Sequence, residues 1–154
     1  MLSEEEKKEI EEEFKLYPHK KAATIEAMKV VQKHRGWVSD ESLKDLAEML
    51  EVSTEDLDGV ATFYNLIFRR PTGRHVILLC NSISCYIMGY NEIYQALSNV
   101  LGIKFGETSS DGRFTLLPVP CLGTCDHAPA MMIDKNLHRD LTPENLGKIL
   151  EVYA

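Results

Sequence analysis

The strongest constraint on the fold is a change of pattern at the turn cluster Pro71-Thr72-Gly73-Arg74. Before this cluster, apolar residues recur at helical spacing, and no segment has the pattern of a β-strand. After it, short apolar runs that are rich in β-branched residues alternate with helical segments, which is typical of a mixed sheet. The sequence therefore predicts an α+β protein, with a helical domain over residues 1–70 and an α/β domain over residues 71–154.

The helical domain contains clear helix start and stop signals. Ser3 followed by Glu6 predicts a capping box, and the helix that it begins is expected to end at Pro18. Its apolar face comprises Ile10, Phe14 and Tyr17. Three further helices are predicted: one with Ile25, Met28 and Val31 that ends at Gly36, one beginning at Ser39 or Asp40, and one beginning at Ser53.

The second domain alternates predicted strands with predicted helices. Strands are expected over residues 75–80, 114–119 and 131–134. Helices are expected over residues 89–101, with Val100 on the apolar side, and after Thr142-Pro143, where a capping residue precedes a proline at the first helical position.

All four cysteines lie in the second domain, in the pairs Cys80-x4-Cys85 and Cys121-x3-Cys125. Cys80 ends one predicted strand, and Cys121 follows the next one along the chain. If these strands share a sheet, their ends bring the two pairs together, and four thiolates converge on one centre. Gly89 and Gly123 leave room for the backbone to approach inorganic sulfur and for loop amides to donate hydrogen bonds to it.

Four interpretations of these cysteines compete. Disulfides suit short secreted chains, whereas this chain is 154 residues long and is expected in a reducing compartment. Thiol–disulfide chemistry normally uses a two-residue spacing, which is absent here. Paired ligands of a structural zinc site are usually separated by two to four residues, so these spacings are possible for zinc but not typical of it. A four-residue spacing also occurs in plant-type ferredoxins, so the spacing favours an iron–sulfur cluster and leaves zinc open.

A histidine ligand of the kind found in Rieske centres is also conceivable, because His127 lies two residues after Cys125. No equivalent histidine follows Cys80 or Cys85, and all four cysteines are available. We therefore expect His127 to lie near the site or on the surface without ligating a metal.

Composition and missing motifs exclude other classes of function. A net charge of −7 argues against nucleic-acid binding, which requires clustered Lys and Arg. The sequence has no glycine-rich dinucleotide fingerprint, phosphate-binding loop or Gly-x-Ser-x-Gly motif, so the chain is expected to carry electrons between partners and to bind no organic substrate. No apolar run is long enough for direct membrane insertion, and the charged segment Met1–Glu13 does not look like a signal peptide, so a cytoplasmic location is expected.

Several motifs closely resemble the E-subunit family of NADH–quinone oxidoreductase, or complex I. The resemblance begins at about Lys21 and reaches the C-terminus. It is carried by the two cysteine pairs and by three further segments: Gly59–Tyr64, Gly112–Pro118 and Ala128–Asp134.

The resemblance implies a helical N-terminal part followed by a thioredoxin-like domain, in which Cys80, Cys85, Cys121 and Cys125 ligate one [2Fe–2S] cluster off the main electron path. It further implies that FMN and NADH bind to a neighbouring flavoprotein subunit and not to this chain. The chain would be a non-catalytic electron-carrying subunit, inactive in isolation and peripheral to the inner membrane. Its partners would be the flavoprotein and the large iron–sulfur subunit.

Two alternatives remain at this point. Small subunits of NAD-reducing hydrogenases and NAD-dependent formate dehydrogenases share the cysteine pattern, and a zinc-stabilised interaction module would be a different class of protein. In the leading hypothesis the helical domain docks onto the flavoprotein. Some of the aromatic residues Trp37, Phe63, Tyr64 and Phe68 would then fill the core, and others would serve as exposed anchors.

Overall fold

Helices form the first of the two units into which the chain divides, Met1–Pro71 and Thr72–Ala154. The computed structural model describes residues 1–153. The helices of the first unit are α1 (Glu4–Phe14), α2 (Thr24–Arg35), α3 (Asp40–Leu50) and α4 (Thr54–Phe63), with a 3₁₀ turn at Lys20–Ala23. Residues 1–71, all of which are described, contain no strand.

The predicted start signals of these helices are confirmed. Ser3 accepts a hydrogen bond from the Glu6 N–H, and the Glu6 carboxylate accepts one from the Ser3 N–H, which completes the capping box. Ser39 and Ser53 cap α3 and α4 through the same kind of bond from a backbone N–H to the serine hydroxyl. The expected position of Tyr17 in α1 is wrong, because α1 ends at Phe14. The proline that follows Tyr17 disfavours a helical conformation at that residue.

A buried apolar core holds the helical unit together. Its largest fully buried side chains are those of Ile10, Met28, Leu46, Leu50 and Leu57. Each contributes roughly 1.5–3 kcal/mol through removal of apolar surface from water. These residues lie on all four helices, so the core joins the helices into one packed unit.

Polar contacts fix the segment that follows α4. The Gln32 side chain donates to the Leu66 carbonyl at 2.9 Å and accepts from the Phe68 N–H at 2.6 Å. Arg69 contacts Asp58 and Asp40 at 2.8 and 2.6 Å. These bonds fasten residues 66–69 to α2, α3 and α4, so this segment has a defined conformation.

Over residues 72–153, the second unit contains a four-stranded mixed sheet, three α-helices and a 3₁₀ turn at Cys125–His127. Its elements are β1 (His75–Cys80), α5 (Ile83–Ile87), α6 (Tyr90–Leu101), β2 (Phe114–Val119), β3 (Met131–Ile133), β4 (Asn136–His138) and α7 (Pro143–Glu151). The strand order is β2-β1-β3-β4. β1 and β2 are parallel, and the other two pairs are antiparallel. The predicted α+β class is confirmed.

Burial explains the central position of β1. Its last five residues are buried, as a strand covered on both faces requires. The core around it includes Leu79, Ile93, Leu97, Phe114 and Met131. The apolar side of α6 faces this core through Ile93 and Leu97. Val100, which was predicted on the same side, is exposed near the end of the helix.

Two short elements were not predicted. α5 has five residues and β4 has three, so neither is long enough to display a period. The strand predicted over 131–134 ends one residue earlier, because Asp134 adopts a left-handed conformation with φ 53° in the turn to β4. Over residues 1–153, no helix combines the length and apolar character that crossing a bilayer requires.

Candidate metal centre

The parallel register of β1 and β2 brings the two cysteine pairs to one edge of the sheet. Cys80 lies opposite Val119, and the N–H of Asn81 donates to the Val119 carbonyl at 3.0 Å. On the other side, the Cys80 N–H donates to the Ala130 carbonyl at 3.1 Å. Cys121 follows β2 after a single proline. The expectation that these two strands share a sheet and end together is therefore confirmed.

Cys85 approaches the site from α5. The side chain is buried. Burial is the main cause that raises the pKa of Cys85 to about 11, and the neighbouring Cys80 adds to it. A buried thiol of this kind stays protonated unless a metal cation takes the place of the proton.

The loop from Cys121 to Cys125 brings its two end sulfurs to 3.7 Å from each other. Two thiolates bound at about 2.3 Å to one tetrahedral metal lie about 3.8 Å apart, so this separation suits two ligands of one metal ion. The Gly123 N–H donates to Cys121 Sγ at 3.3 Å. This bond, followed by the Cys125 thiol, lowers the pKa of Cys121, while Cys121 raises the pKa of Cys125.

The four cysteines are arranged as two pairs. Over residues 1–153, no three His, Cys, Asp or Glu side chains gather as a single metal ion would require. The parallel register nevertheless places Cys80 opposite Val119, two residues before Cys121, so the two pairs lie at the same end of the sheet. Two neighbouring thiol pairs suit a binuclear centre better than one tetrahedral zinc ion.

The buried hydroxyl of Thr124 indicates whether the residues around the cysteines suit an iron–sulfur cluster. Thr124 lies between Gly123 and Cys125 and is only 8% exposed, and its Oγ1 has no hydrogen-bond partner within residues 1–153. An unpartnered buried hydroxyl is costly, and an inorganic sulfide would give it an acceptor. The Gly123 amide is a second donor toward sulfur. The residues present therefore fit an iron–sulfur cluster.

His127 has other partners than the cysteines. Its Nδ1 lies 2.9 Å from Asp140 Oδ2, and its Nε2 lies 3.6 Å from Asp126 Oδ2. Both ring nitrogens therefore face carboxylates, which agrees with the expectation that His127 is not a ligand.

Sequence reasoning missed two polar neighbours of the cysteines. The Ser84 side chain lowers the pKa of Cys125, whose pKa is raised overall mainly by Cys121, and Thr124 supplies the buried hydroxyl described above. The only sequence feature that pointed to Ser84 or Thr124 as part of the site is that each lies between two cysteines of a pair. Gly89 is the N-cap of α6, with φ 108°, and Gly123 donates its amide to the sulfur of Cys121. An approach of either glycine to inorganic sulfur stays a prediction.

Two thiol pairs at the edge of a mixed sheet form the arrangement expected of an iron–sulfur protein. The chain belongs to the thioredoxin-like [2Fe-2S] ferredoxin family, whose model matches residues 10–154. Membership confirms the thioredoxin-like fold that was expected and supports a [2Fe–2S] cluster as the cofactor.

Curated relatives match the chain over nearly its whole length. It is 50% identical over 154 residues to the E subunit of the NADH-quinone oxidoreductase of Pseudomonas aeruginosa, and the match covers 100% of this chain and 93% of the relative. It is 52% identical over 152 residues to the protein of the same name from Escherichia coli strain K12, with 99% and 92% covered.

A solved structure supports the fold. An NAD+-reducing [NiFe]-hydrogenase in its H2-reduced state matches 85% of this chain with a TM-score of 0.71. The sequence identity is 20%, and this chain spans 22% of the hydrogenase chain, so the likeness concerns the fold alone.

Proposed function

We propose that this chain is the electron-carrying E subunit of an NADH–quinone oxidoreductase and holds one [2Fe–2S] cluster on Cys80, Cys85, Cys121 and Cys125. The observation that carries the proposal is that Cys80 and the Cys121–Cys125 pair follow the same end of the parallel strands β1 and β2. Relatives at 50% and 52% identity that bear this subunit's name support the assignment.

The chemistry that a [2Fe–2S] cluster supplies is the transfer of one electron at a time. The chain's own residues would bind the cluster and shield part of it from solvent. Cys80 and Cys85 are buried, and the rigid strand end at Cys80 keeps their geometry fixed. The amide of Gly123 donates to Cys121 Sγ and compensates negative charge on that sulfur.

We propose that the electrons come from FMN on a flavoprotein subunit, where NADH delivers a hydride, and that the large iron–sulfur subunit is a further neighbour. The chain would reach the cytoplasmic side of the membrane only through this complex. A role as the equivalent subunit of an NAD-reducing hydrogenase has support from the fold likeness, but the more similar relatives favour the NADH–quinone oxidoreductase.

The helical unit offers a surface for docking. Phe63 is 80% exposed, and Tyr64 and Leu66 are exposed beside it, while Trp37 and Phe68 are half-buried. The rings of Phe63 and Tyr64 meet edge to face at 5.2 Å. Aromatic residues held on a fastened segment are typical anchors of a protein interface. We propose that this surface binds the flavoprotein.

The test compares NADH oxidation by three preparations with an artificial electron acceptor: the cluster-loaded chain, the flavoprotein subunit, and both together. We expect the chain alone to be inactive and to form a stable complex whose cluster is reduced by NADH. NADH oxidation by the chain alone, or a cluster that NADH does not reduce in the mixture, would contradict the proposal.

A further inference from the structure

A cluster of polar side chains joins the end of α7 to the hairpin formed by β3 and β4. The hydroxyl of Tyr153, two residues after α7, lies 2.9 Å from His138 Nε2 and 3.0 Å from Asn136 Nδ2. The rings of Tyr153 and His138 meet edge to face at a centroid distance of 5.9 Å. Because β4 is an edge strand of three residues paired with β3, these contacts add substantially to its attachment.

The direction of these hydrogen bonds requires a neutral His138. The side-chain nitrogen of Asn136 can only donate, so the Tyr153 oxygen accepts from it. The Tyr153 hydroxyl then donates to His138, which accepts through an unprotonated Nε2. A protonated imidazole has an N–H at both nitrogens and no acceptor. Protonation of His138 would therefore leave the tyrosine proton without an acceptor and place two donors against the tyrosine oxygen.

Two carboxylates lie near His138 in the chain, and both are bonded to other groups. Asp134 Oδ2 lies 2.7 Å from His75 Nδ1. Asp140 Oδ2 lies 2.9 Å from His127 Nδ1. A positive charge on His138 therefore has no ready ion-pair partner in either carboxylate.

Burial also opposes a positive charge on His138. It lowers the pKa of this histidine below the usual value of 6.5. The charged residues on the hairpin and on α7 are exposed, so water screens their influence; they are Lys135, Arg139, Glu144, Lys148 and Glu151. The neutral ring is thus the form that the folded contacts favour.

We propose that His138 and Tyr153 form a pH-sensitive latch, which fastens the end of α7 to the β3–β4 hairpin while His138 is neutral and releases it when His138 is protonated. Because the folded contacts favour the neutral ring, the latch is closed above about pH 6.5 and opens as the pH falls below that value. The histidine that neighbours the latch, His75, keeps its bond to Asp134 in both charge states, since its Nδ1 can donate in each. His138 is therefore the sensor.

The latch is separate from the metal centre. The ring of Tyr153 meets that of His75, the first residue of β1, at 5.3 Å, whereas Cys80 ends that strand. The latch gives the second unit a response to mild acidification that involves no cysteine.

Amide hydrogen exchange of the cluster-loaded chain at about pH 8 and about pH 5 tests the latch. The reporters are the N–H groups of Val152 and Tyr153, which donate to the carbonyls of Ile149 and Leu150 at 3.3 and 3.1 Å. After correction for the intrinsic effect of pH on exchange, their protection should be about fivefold lower at the lower pH, as expected for the loss of one hydrogen bond. Equal protection at the two pH values would overturn the inference.

Two variants separate the latch from other effects of pH. His138→Gln keeps a neutral acceptor for the Tyr153 hydroxyl and should remove the pH dependence. Tyr153→Phe lacks the hydroxyl and should show the lower protection at both pH values. His34→Gln, which alters a histidine of α2 that lies 3.0 Å from Glu9, is the matched control and should respond to pH as the wild type does. A His138→Gln protein with the wild-type pH response would overturn the inference.

The protonation state of His138 provides a measurement on the unaltered chain. The 15N chemical shifts of the two imidazole nitrogens distinguish the neutral tautomers from each other and from the charged ring. We expect the proton on Nδ1 at about pH 8 and protons on both nitrogens at about pH 5. A neutral His138 with its proton on Nε2 would overturn the inference, because Nε2 would then donate to Tyr153 at neutral pH as well.

Discussion

The backbone N–H of Gly123 donates to Cys121 Sγ at 3.3 Å, from a left-handed conformation with φ 75°. No atom lies within 4 Å of the position that a Cβ would take. A side chain at this position therefore meets conformational strain but no steric clash. The geometry of the loop, and with it the donor to sulfur, depends on the absence of that side chain.

Gly123→Ala is expected to loosen the metal centre. The strain of a left-handed alanine costs roughly 1–2 kcal/mol, which corresponds to a roughly 5–30-fold faster loss of iron to a chelator if the strain is released on loss. The measurement is the bleaching rate of the visible spectrum under anaerobic conditions. Gly147→Ala, at an exposed and open position in α7, is the matched control and should leave the rate unchanged. Equal rates in both variants and the wild type would contradict the prediction.

Thr124→Val should separate two effects of the buried hydroxyl. In the cluster-free chain, removal of an unpartnered buried hydroxyl should leave stability unchanged or raise it by about 1 kcal/mol. In the loaded chain, loss of a donor to sulfur should lower the reduction potential. Thr124→Ser keeps the hydroxyl and should keep the potential. A Val variant with the wild-type potential would show that the hydroxyl does not reach the cluster.

The pair of Glu6 and Arg35 predicts how the stability of the helical unit depends on pH. Arg35 Nε and Nη2 both lie 2.6 Å from the two carboxylate oxygens of Glu6, which is 2% exposed. The Arg35 side chain is the main cause that lowers the pKa of Glu6 from 4.5 to about 2. Because the folded pKa is the lower one, this stabilisation is complete above pH 4.5 and is lost as the pH falls toward 2.

The expected contribution of this pair at neutral pH is about 3 kcal/mol. Urea unfolding, followed by the fluorescence of Trp37, the single tryptophan, should show the loss between pH 4.5 and 2. Glu6→Gln should lower stability at pH 7 and flatten the slope over this interval. Glu4→Gln, in the same turn but in an exposed pair with Lys7, should change little. An unaltered slope in Glu6→Gln would exclude this pair as the cause.

Two exposed apolar surfaces are candidates for the proposed binding of the flavoprotein. Phe63 belongs to the surface of the helical unit, and Ile87, which is 72% exposed, lies on α5, the helix that carries Cys85. Phe63→Ser should weaken binding at least about tenfold, as expected for an aromatic anchor, without loss of the cluster. Ile87→Ser is the comparison, and binding is measured by calorimetry with the flavoprotein. Loss of affinity in Ile87→Ser alone would move the docking surface to the cysteine-containing unit.

Much of the site could be predicted from the sequence because its main determinants are local. Ser3 and Ser53 are N-caps, a role that the sequence indicates directly. The apolar runs that end at Cys80 and Val119 are strands, and their parallel register places the cysteines that follow at one end of the sheet. α5 was not predicted, because five residues show no period, and its orientation toward Cys80 arises from packing. The roles of Ser84 and Thr124 depend on burial and direction, which sequence spacing does not contain.

Each cysteine is expected to be necessary for the metal centre. Replacement of any one of the four by Ser substitutes a hard hydroxyl for a thiolate and should weaken or abolish cluster binding. Absorption spectra of the anaerobically purified variants measure this. A Cys121→Ser protein with the wild-type spectrum and iron content would remove Cys121 from the set of ligands.

The most direct measurement of the central claim is metal and sulfide analysis of the anaerobically purified wild-type chain. The four cysteines, arranged as two pairs at the end of β1 and β2, predict about two irons and about two acid-labile sulfides per chain, with no stoichiometric zinc. One zinc ion per chain without iron or sulfide would contradict the account and would identify a zinc-stabilised interaction module.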